Sequence, residues 1–414
     1  MDFVLQQNSW AGFEPVKISL PGDWAVEYHG IEADQWPVLN REEIRDRINS
    51  PYGSETLGKM ARGKKQVVIV FDDITRGTPV QIIAETVLEE LRQAGIAGDQ
   101  IRFLCATGLH GAHTVADFVN KLGKKIVAGY EVFNHNPYEN CVSIGTTARG
   151  VDVQINKEFM MCDLRIGIGA ITPHHFNGYS GGGKILFPGI ASIDTIYQNH
   201  STAVNFLSEK KLNLVVGMGR LENDGMRKEV EEMAGMVDNF FKIDCLYNTS
   251  LQPVKIFAGN YLQTFYTGVQ DAIRGYATQP VRDKDVVVVN ANAKANEATI
   301  ATNMAVMGVR PEGGDVVIVN FSKMGQMTHY LFGAFGTCIG GRMWGKLSKT
   351  RPHIRRIIYF SPYHSYTDLR WIGEREKIVC VSTWKEVMDE LKSHGPGTRC
   401  SVLADGTLEY YRDV

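Results

Sequence analysis

The chain lacks most of what would mark it for a membrane, an oxidising compartment or a polyanion. No apolar run approaches the roughly 18 residues needed to cross a bilayer. The opening stretch, MDFVLQQNSWAGFEP, has neither the basic region nor the apolar segment of a secretory signal. No membrane is therefore expected among its partners. Its seven cysteines (Cys105, Cys141, Cys162, Cys245, Cys338, Cys380 and Cys400) are scattered, odd in number and contain no Cys-x-x-Cys. That spacing argues against a disulfide frame or a structural zinc site, and for reduced thiols in a cytoplasm. An excess of one charge is missing too. With 44 Lys and Arg against 46 Asp and Glu, the formal net charge is −2, which gives no electrostatic case for nucleic acid.

What is present reads as a globular α/β chain. At 414 residues it is too long for one ordinary core, so two domains are expected. QVVIVFDD (66–73) reads as a buried strand. Pro79 suits the start of a helix in which Ile82, Ile83, Val87, Leu88 and Leu91 recur at helical spacing until Gly95. Further strands are expected at Ile101–Ala106, Leu164–Ile171 and Leu212–Val216. A second unit begins near Asp285, where DVVVVN (285–290) and DVVIVN (315–320) bracket a helical stretch, with strands at Ile357–Phe360 and Lys377–Ser382. This rhythm predicts two α/β domains with mainly parallel sheets and a cofactor cleft between them. The expected division is 1–272, then 285–398 closing over the active site, joined by a linker within 270–284. The tail, 399–414, reads as strand, turn, strand packing back on the first domain.

Polar residues collect at the carboxyl ends of the expected strands, where α/β sheets gather their active groups. Asp73, Thr75 and Arg76 end the first strand, Thr107 to His110 the second, and Thr172 to His175 the third. The third runs on into HHFNGYSGGGKILFPG (174–189), with Ser180, three glycines and Lys184, and His200 follows on an expected helix. Each has a plain structural alternative. Gly181 to Gly183 suit a flexible turn as well as a backbone nest for phosphate, with Lys184 as counter-ion. The P-loop spacing is absent. Asp73 and Arg76 suit an ion pair or helix cap, and each histidine alone suits a hydrogen-bonded structural role. Three strands delivering such groups to one sheet edge is the stronger signal.

The combination Asp-x-Thr-Arg (73–76), Thr-Gly-x-His (107–110), the long block Pro173–Gly189 and the later His200 resembles the lactate racemase family. ENDGMRKEVEEMA (222–234) and FAGN (257–260) resemble family segments as well, and the likeness thins after Asp285. The resemblance implies an isomerase, a racemase or epimerase of 2-hydroxy acids. Its cofactor would be a nickel-pincer nucleotide, the pyridinium-3,5-bisthiocarboxylic acid mononucleotide, attached covalently to Lys184. By motif position His200 would be the protein ligand to nickel, and Thr75, Ser180, Gly181 and Gly182 would line the cofactor, the glycines giving it clearance. His110 and His174 would be the two bases, Arg76 would hold the substrate carboxylate, and Asp73 would orient a neighbour. The reaction implied is proton-coupled hydride transfer to the cofactor through a 2-keto acid. Accessory cofactor-biosynthesis enzymes are implied as partners.

The stretch NANAKANEATIATNMA (290–305) departs from the family by lacking a Tyr-Gln pair, with Asn303 near the expected lysine, and Gly111 stands where an arginine is common. These changes predict a loss of positive charge and bulk, which favours a larger or sugar-derived acid over lactate. Two other readings stand beside this one. A pyridoxal-phosphate racemase would use Lys184 as Schiff base, and a non-catalytic nucleotide-binding homologue would explain the diverged second unit. A visible spectrum with metal analysis separates the first, and turnover of any 2-hydroxy acid the second.

Overall fold

The computed structural model describes residues 1–8, 11–200, 217–221, 225–327, 329 and 349–412. They are organised by two six-stranded sheets. From edge to edge the first contains Pro253–Gly259, Phe240–Tyr247, Leu164–Ala170, Val67–Asp72, Ile101–Ala106 and Glu131–Asn134. Only Pro253–Gly259 runs antiparallel to its neighbour. The second contains Ile378–Val381, Ile354–Phe360, Gly314–Val319, Val286–Asn290, Arg399–Leu403 and Ala25–His29, all parallel. The α/β class with mainly parallel sheets is the fold observed.

The central strands are unbroken apolar runs because both their faces are covered. Val67, Ile69 and Phe71 enter one core and Val68 and Val70 the other, while Val287 and Val289 face away from Val286 and Val288. The helix Val80–Gln93 starts after Pro79 and buries Ile83, Ala84, Val87 and Leu91 on the first sheet.

Both sheets reverse direction once. In the first, the chain steps from Val67–Asp72 outward to Glu131–Asn134, then returns to the other side at Leu164–Ala170. In the second it steps from Val286–Asn290 outward to Ile378–Val381, then returns at Arg399–Leu403. Each reversal opens a crevice at the carboxyl ends of the two strands that flank it.

The structure differs from the sequence reading in four places. Ala25–His29 lies in the second sheet, beside Arg399–Leu403, although it precedes the whole of the first. Its residues are mostly exposed or half-buried, so no alternation marks it. The expected linker is half helix, since Tyr261–Tyr276 continues past 270 and caps on Asn260. Phe240–Tyr247 and Pro253–Gly259 were not anticipated, because the buried pair Lys242–Asp244 interrupts the apolar pattern of the first of them. Within 399–414, Arg399–Leu403 belongs to the second sheet, whereas Tyr410 reaches the first core and its hydroxyl lies 2.6 Å from that of Tyr179. The strand expected at Leu212–Val216 lies outside the described residues. Among the described residues no helix is long and apolar enough to cross a membrane.

Candidate active site

The turn after Val67–Asp72 is built by Asp73. Its buried carboxylate accepts the Thr75 amide at 2.9 Å and the Thr75 hydroxyl, an Asx-type closure of the chain. Its other oxygen lies 2.5 Å from His110 Nδ1. Burial alone would raise the Asp73 pKa, but pairing with His110 and His113 holds it well below the usual carboxylate range. A carboxylate can only accept, so Nδ1 of His110 carries the proton it donates. A neutral His110 therefore presents Nε2 as a lone pair, the form of a general base. The backbone locks the turn in place, since the His110 amide bonds Thr107 and the Gly108 amide bonds Gly189.

The glycine-lysine loop follows a short hairpin, Pro173–His174 against Gly178–Tyr179. Gly181 and Gly182 adopt φ of +89° and +59°, the left-handed region that favours glycine. A Cβ on Gly181 would sit 2.6 Å from Ile171 Cγ1, and one on Gly182 3.0 Å from Phe265 Cβ. The protein's own packing and backbone conformation therefore call for glycine at both positions. The core beneath also ties the loop's backbone. Asp244 accepts the Gly182 amide at 2.8 Å, and Arg227, stacked 4.1 Å over Phe265, donates to the carbonyls of Gly181 and Tyr179. The buried Ser180 hydroxyl donates to the Ala170 carbonyl and accepts the Thr172 amide, and the Thr75 hydroxyl is held by Asp73 and Arg76.

Lys184 Nζ lies 3.3 Å from His174 Nε2. His174 Nδ1 accepts the amides of Phe176 and Asn177, so its neutral ring carries the proton on Nε2, the opposite tautomer to His110. Burial, then Lys184, lowers its pKa well below the ordinary value. His175 stacks on it at 5.0 Å. His200 lies on the helical segment 193–200. It is buried, and its Nδ1 donates to the Ile196 carbonyl, which leaves Nε2 a lone pair. Burial and Lys184 push its pKa down to about 3, so it stays unprotonated.

The second unit delivers three groups that the sequence reading missed. Glu297, in the 3₁₀ turn Ala295–Glu297, places Oε2 2.5 Å from Arg76 Nη1 and Oε1 3.7 Å from His110 Nε2. Lys294 is buried and donates to the Pro173 carbonyl at 3.0 Å. Desolvation, reinforced by Arg76, pushes its pKa down to about 7. His329 pairs with His110 in an isolated bridge, ring centroids 5.6 Å apart. The second sheet's own crevice holds the Lys294 segment: Asp405 accepts the Ala293 amide at 2.9 Å and Thr407 Oγ1 the Lys294 amide at 3.1 Å. The two crevices therefore meet.

All ten residues singled out from the sequence, Asp73, Thr75, Arg76, His110, His174, Ser180, Gly181, Gly182, Lys184 and His200, fall in the motifs gathered at this edge of the first sheet. The expected loss of positive charge is corrected. Asn303 is exposed on the helix Thr299–Gly308, and the cation that reaches the site from this stretch is Lys294. Its signal was its place just beyond the strand Val286–Asn290. Among the described residues, no group of three or more His, Cys, Asp or Glu is disposed to hold a metal.

Two α/β units with mainly parallel sheets thus bring a guanidinium, a lysine and a histidine paired with a carboxylate to one place. Comparison with known proteins gives the chain's family. Residues 12–211 match the lactate racemase N-terminal domain. The lactate racemase of Lactiplantibacillus plantarum is 31% identical over 308 residues, covering 73% of this chain and 69% of that protein. The lactate racemase of Thermoanaerobacterium thermosaccharolyticum is 31% identical over 253 residues, 60% of this chain and 58% of that one. The chain belongs to the lactate racemase family, and is an isomerase of that family. In fold it is similar to the lactate racemase apoprotein of T. thermosaccharolyticum (TM-score 0.71, 21% identity, all of both chains). It is also similar to a protein from Thermotoga maritima (TM-score 0.63, 17% identity, 90% and 99% of the chains).

Proposed function

We propose that this chain racemises or epimerises a 2-hydroxy acid, using a nickel-pincer nucleotide tethered to Lys184. The observation that carries the reading is the convergence of Arg76, His110 and the Lys184–His174 pair where the two crevices meet. The residues fit such a group. Lys184 stands on a backbone fixed from beneath by Asp244 and Arg227, and His200 is a single unprotonated imidazole with Nε2 available, as a metal donor must be. When bound, the group supplies an acceptor that takes the C2 hydride and returns it on either face of a 2-keto acid.

The protein's own part is binding and proton transfer. Among the described residues Arg76 bonds Thr75 and Glu297 through Nη1 alone, so its Nε–Nη2 edge serves a carboxylate bidentately. Lys294 adds a second positive charge. His110 Nε2 takes the hydroxyl proton, and Asp73 stabilises the imidazolium that forms. His174 serves the other stereoisomer once its ring has released the amides of Phe176 and Asn177. A larger or sugar-derived acid, in preference to lactate, is the substrate class that we favour, because the Glu297 carboxylate beside Arg76 and His110 is an acceptor for a further hydroxyl.

The test uses protein produced together with accessory cofactor-biosynthesis enzymes, offered single enantiomers of a panel of 2-hydroxy acids in D2O. Interconversion with hydrogen retained at C2 is expected. Deuterium at C2 would mean proton abstraction and overturn the hydride reading, and failure to interconvert any acid would overturn the function.

A further inference from the structure

We propose that Glu297 determines the substrate class, selecting acids whose third carbon bears a hydroxyl group and rejecting those with a second carboxylate. This rests on the reading that Arg76 holds the C1 carboxylate and His110 the C2 hydroxyl. Glu297 touches both of those groups. Its Oε2 lies 2.5 Å from Arg76 Nη1 and its Oε1 3.7 Å from His110 Nε2. An acid spanning Arg76 and His110 must therefore carry its next carbon alongside this carboxylate.

Glu297 keeps its place when a substrate carboxylate binds, because the two anions use different edges of the guanidinium. Nη1 is occupied by Thr75 and Glu297, whereas Nε and Nη2 make no hydrogen bond to the described residues. The turn is also held, with the Glu297 amide on the Lys294 carbonyl at 2.8 Å and the Ala298 amide on Gln326 at 2.8 Å. Burial opposes the charge on Glu297, but Arg76 above all keeps its pKa below the ordinary glutamate value. An ionised carboxylate is an acceptor only. A neighbouring hydroxyl donates to its Oε1, a methyl group leaves that oxygen desolvated and unpaired, and a second carboxylate is repelled.

Glycerate and tartronate carry hydroxymethyl and carboxylate on the same carbon, and lactate carries a methyl group there. Calorimetric binding of the three is compared on the cofactor-loaded protein, Glu297→Gln, Glu297→Asp and Arg76→Met. Wild type should bind glycerate at least about tenfold more tightly than tartronate, a difference of about 1.4 kcal/mol. Glu297→Gln should level that ratio by strengthening tartronate and weakening glycerate, and Glu297→Asp should preserve it. An unchanged ratio in Glu297→Gln overturns this proposal alone. If wild type binds none of the acids, or Arg76→Met binds glycerate as wild type does, the carboxylate seat fails and this proposal falls with it.

Discussion

Asp73 and His110 stand 2.5 Å apart, carboxylate oxygen to Nδ1, although they end different strands. The contact fixes which imidazole nitrogen carries the proton, and so which one faces the substrate. Asp73→Asn keeps the size of the side chain, but its amide can donate to Nδ1 and move the ring proton to Nε2. We expect kcat to fall by about 10² to 10⁴, the range for losing a positioned general base, with little change in KM. A steady-state measurement showing a raised KM at unchanged kcat would make Asp73 a binding residue instead.

Lys294 sets a pH limit. With its pKa near 7 it is charged below that value and loses its charge as pH rises through it. Substrate affinity should therefore be highest below about pH 7 and weaken above it, while Lys294→Arg, charged throughout, should flatten the profile. The stability sign is opposite. The unfolded chain keeps the ordinary lysine value of 10.5, so the folded state carries the full penalty below about pH 7, and the penalty fades as pH rises from there toward 10.5. KM and thermal midpoints across this range check both. A KM profile identical in wild type and Lys294→Arg would remove Lys294 from substrate binding.

Much of the site was legible because three of its clusters are contiguous in sequence, at the ends of strands whose apolar runs are plain. Asp73 to Arg76, Thr107 to His110 and Pro173 to Lys184 needed only the knowledge that parallel sheets gather function at carboxyl ends. Glu297 and His329 were not legible, because their meeting with Arg76 and His110 depends on how the two sheets face each other. Lys294 was in view but passed over for Asn303, since the strand end nearest it carries small and amide residues. The packing of Gly181 against Ile171 and of Gly182 against Phe265 was not legible, because those neighbours come from other elements. The edge strand Ala25–His29 and the charged interior of Phe240–Tyr247 break the patterns that reveal strands.

The pair Lys242–Asp244, 2.7 Å apart and fully buried, supports the glycine loop through the Gly182 amide. Lys242→Met removes the counter-charge and leaves Asp244 uncompensated in the core, which should cost about 3–5 kcal/mol. Chemical denaturation measures it. A loss well under 1 kcal/mol would mean that Asp244 is neutral or relaxes toward solvent, and that the loop does not depend on the pair.

The most direct test of the account is the intact mass of the protein after production alongside the cofactor-making enzymes, compared with Lys184→Ala. We predict a mass gain corresponding to the nucleotide on wild type, none on Lys184→Ala, and a gain without retained nickel on His200→Ala. An unmodified wild type that nonetheless interconverts a 2-hydroxy acid, or a gain that persists in Lys184→Ala, would contradict it.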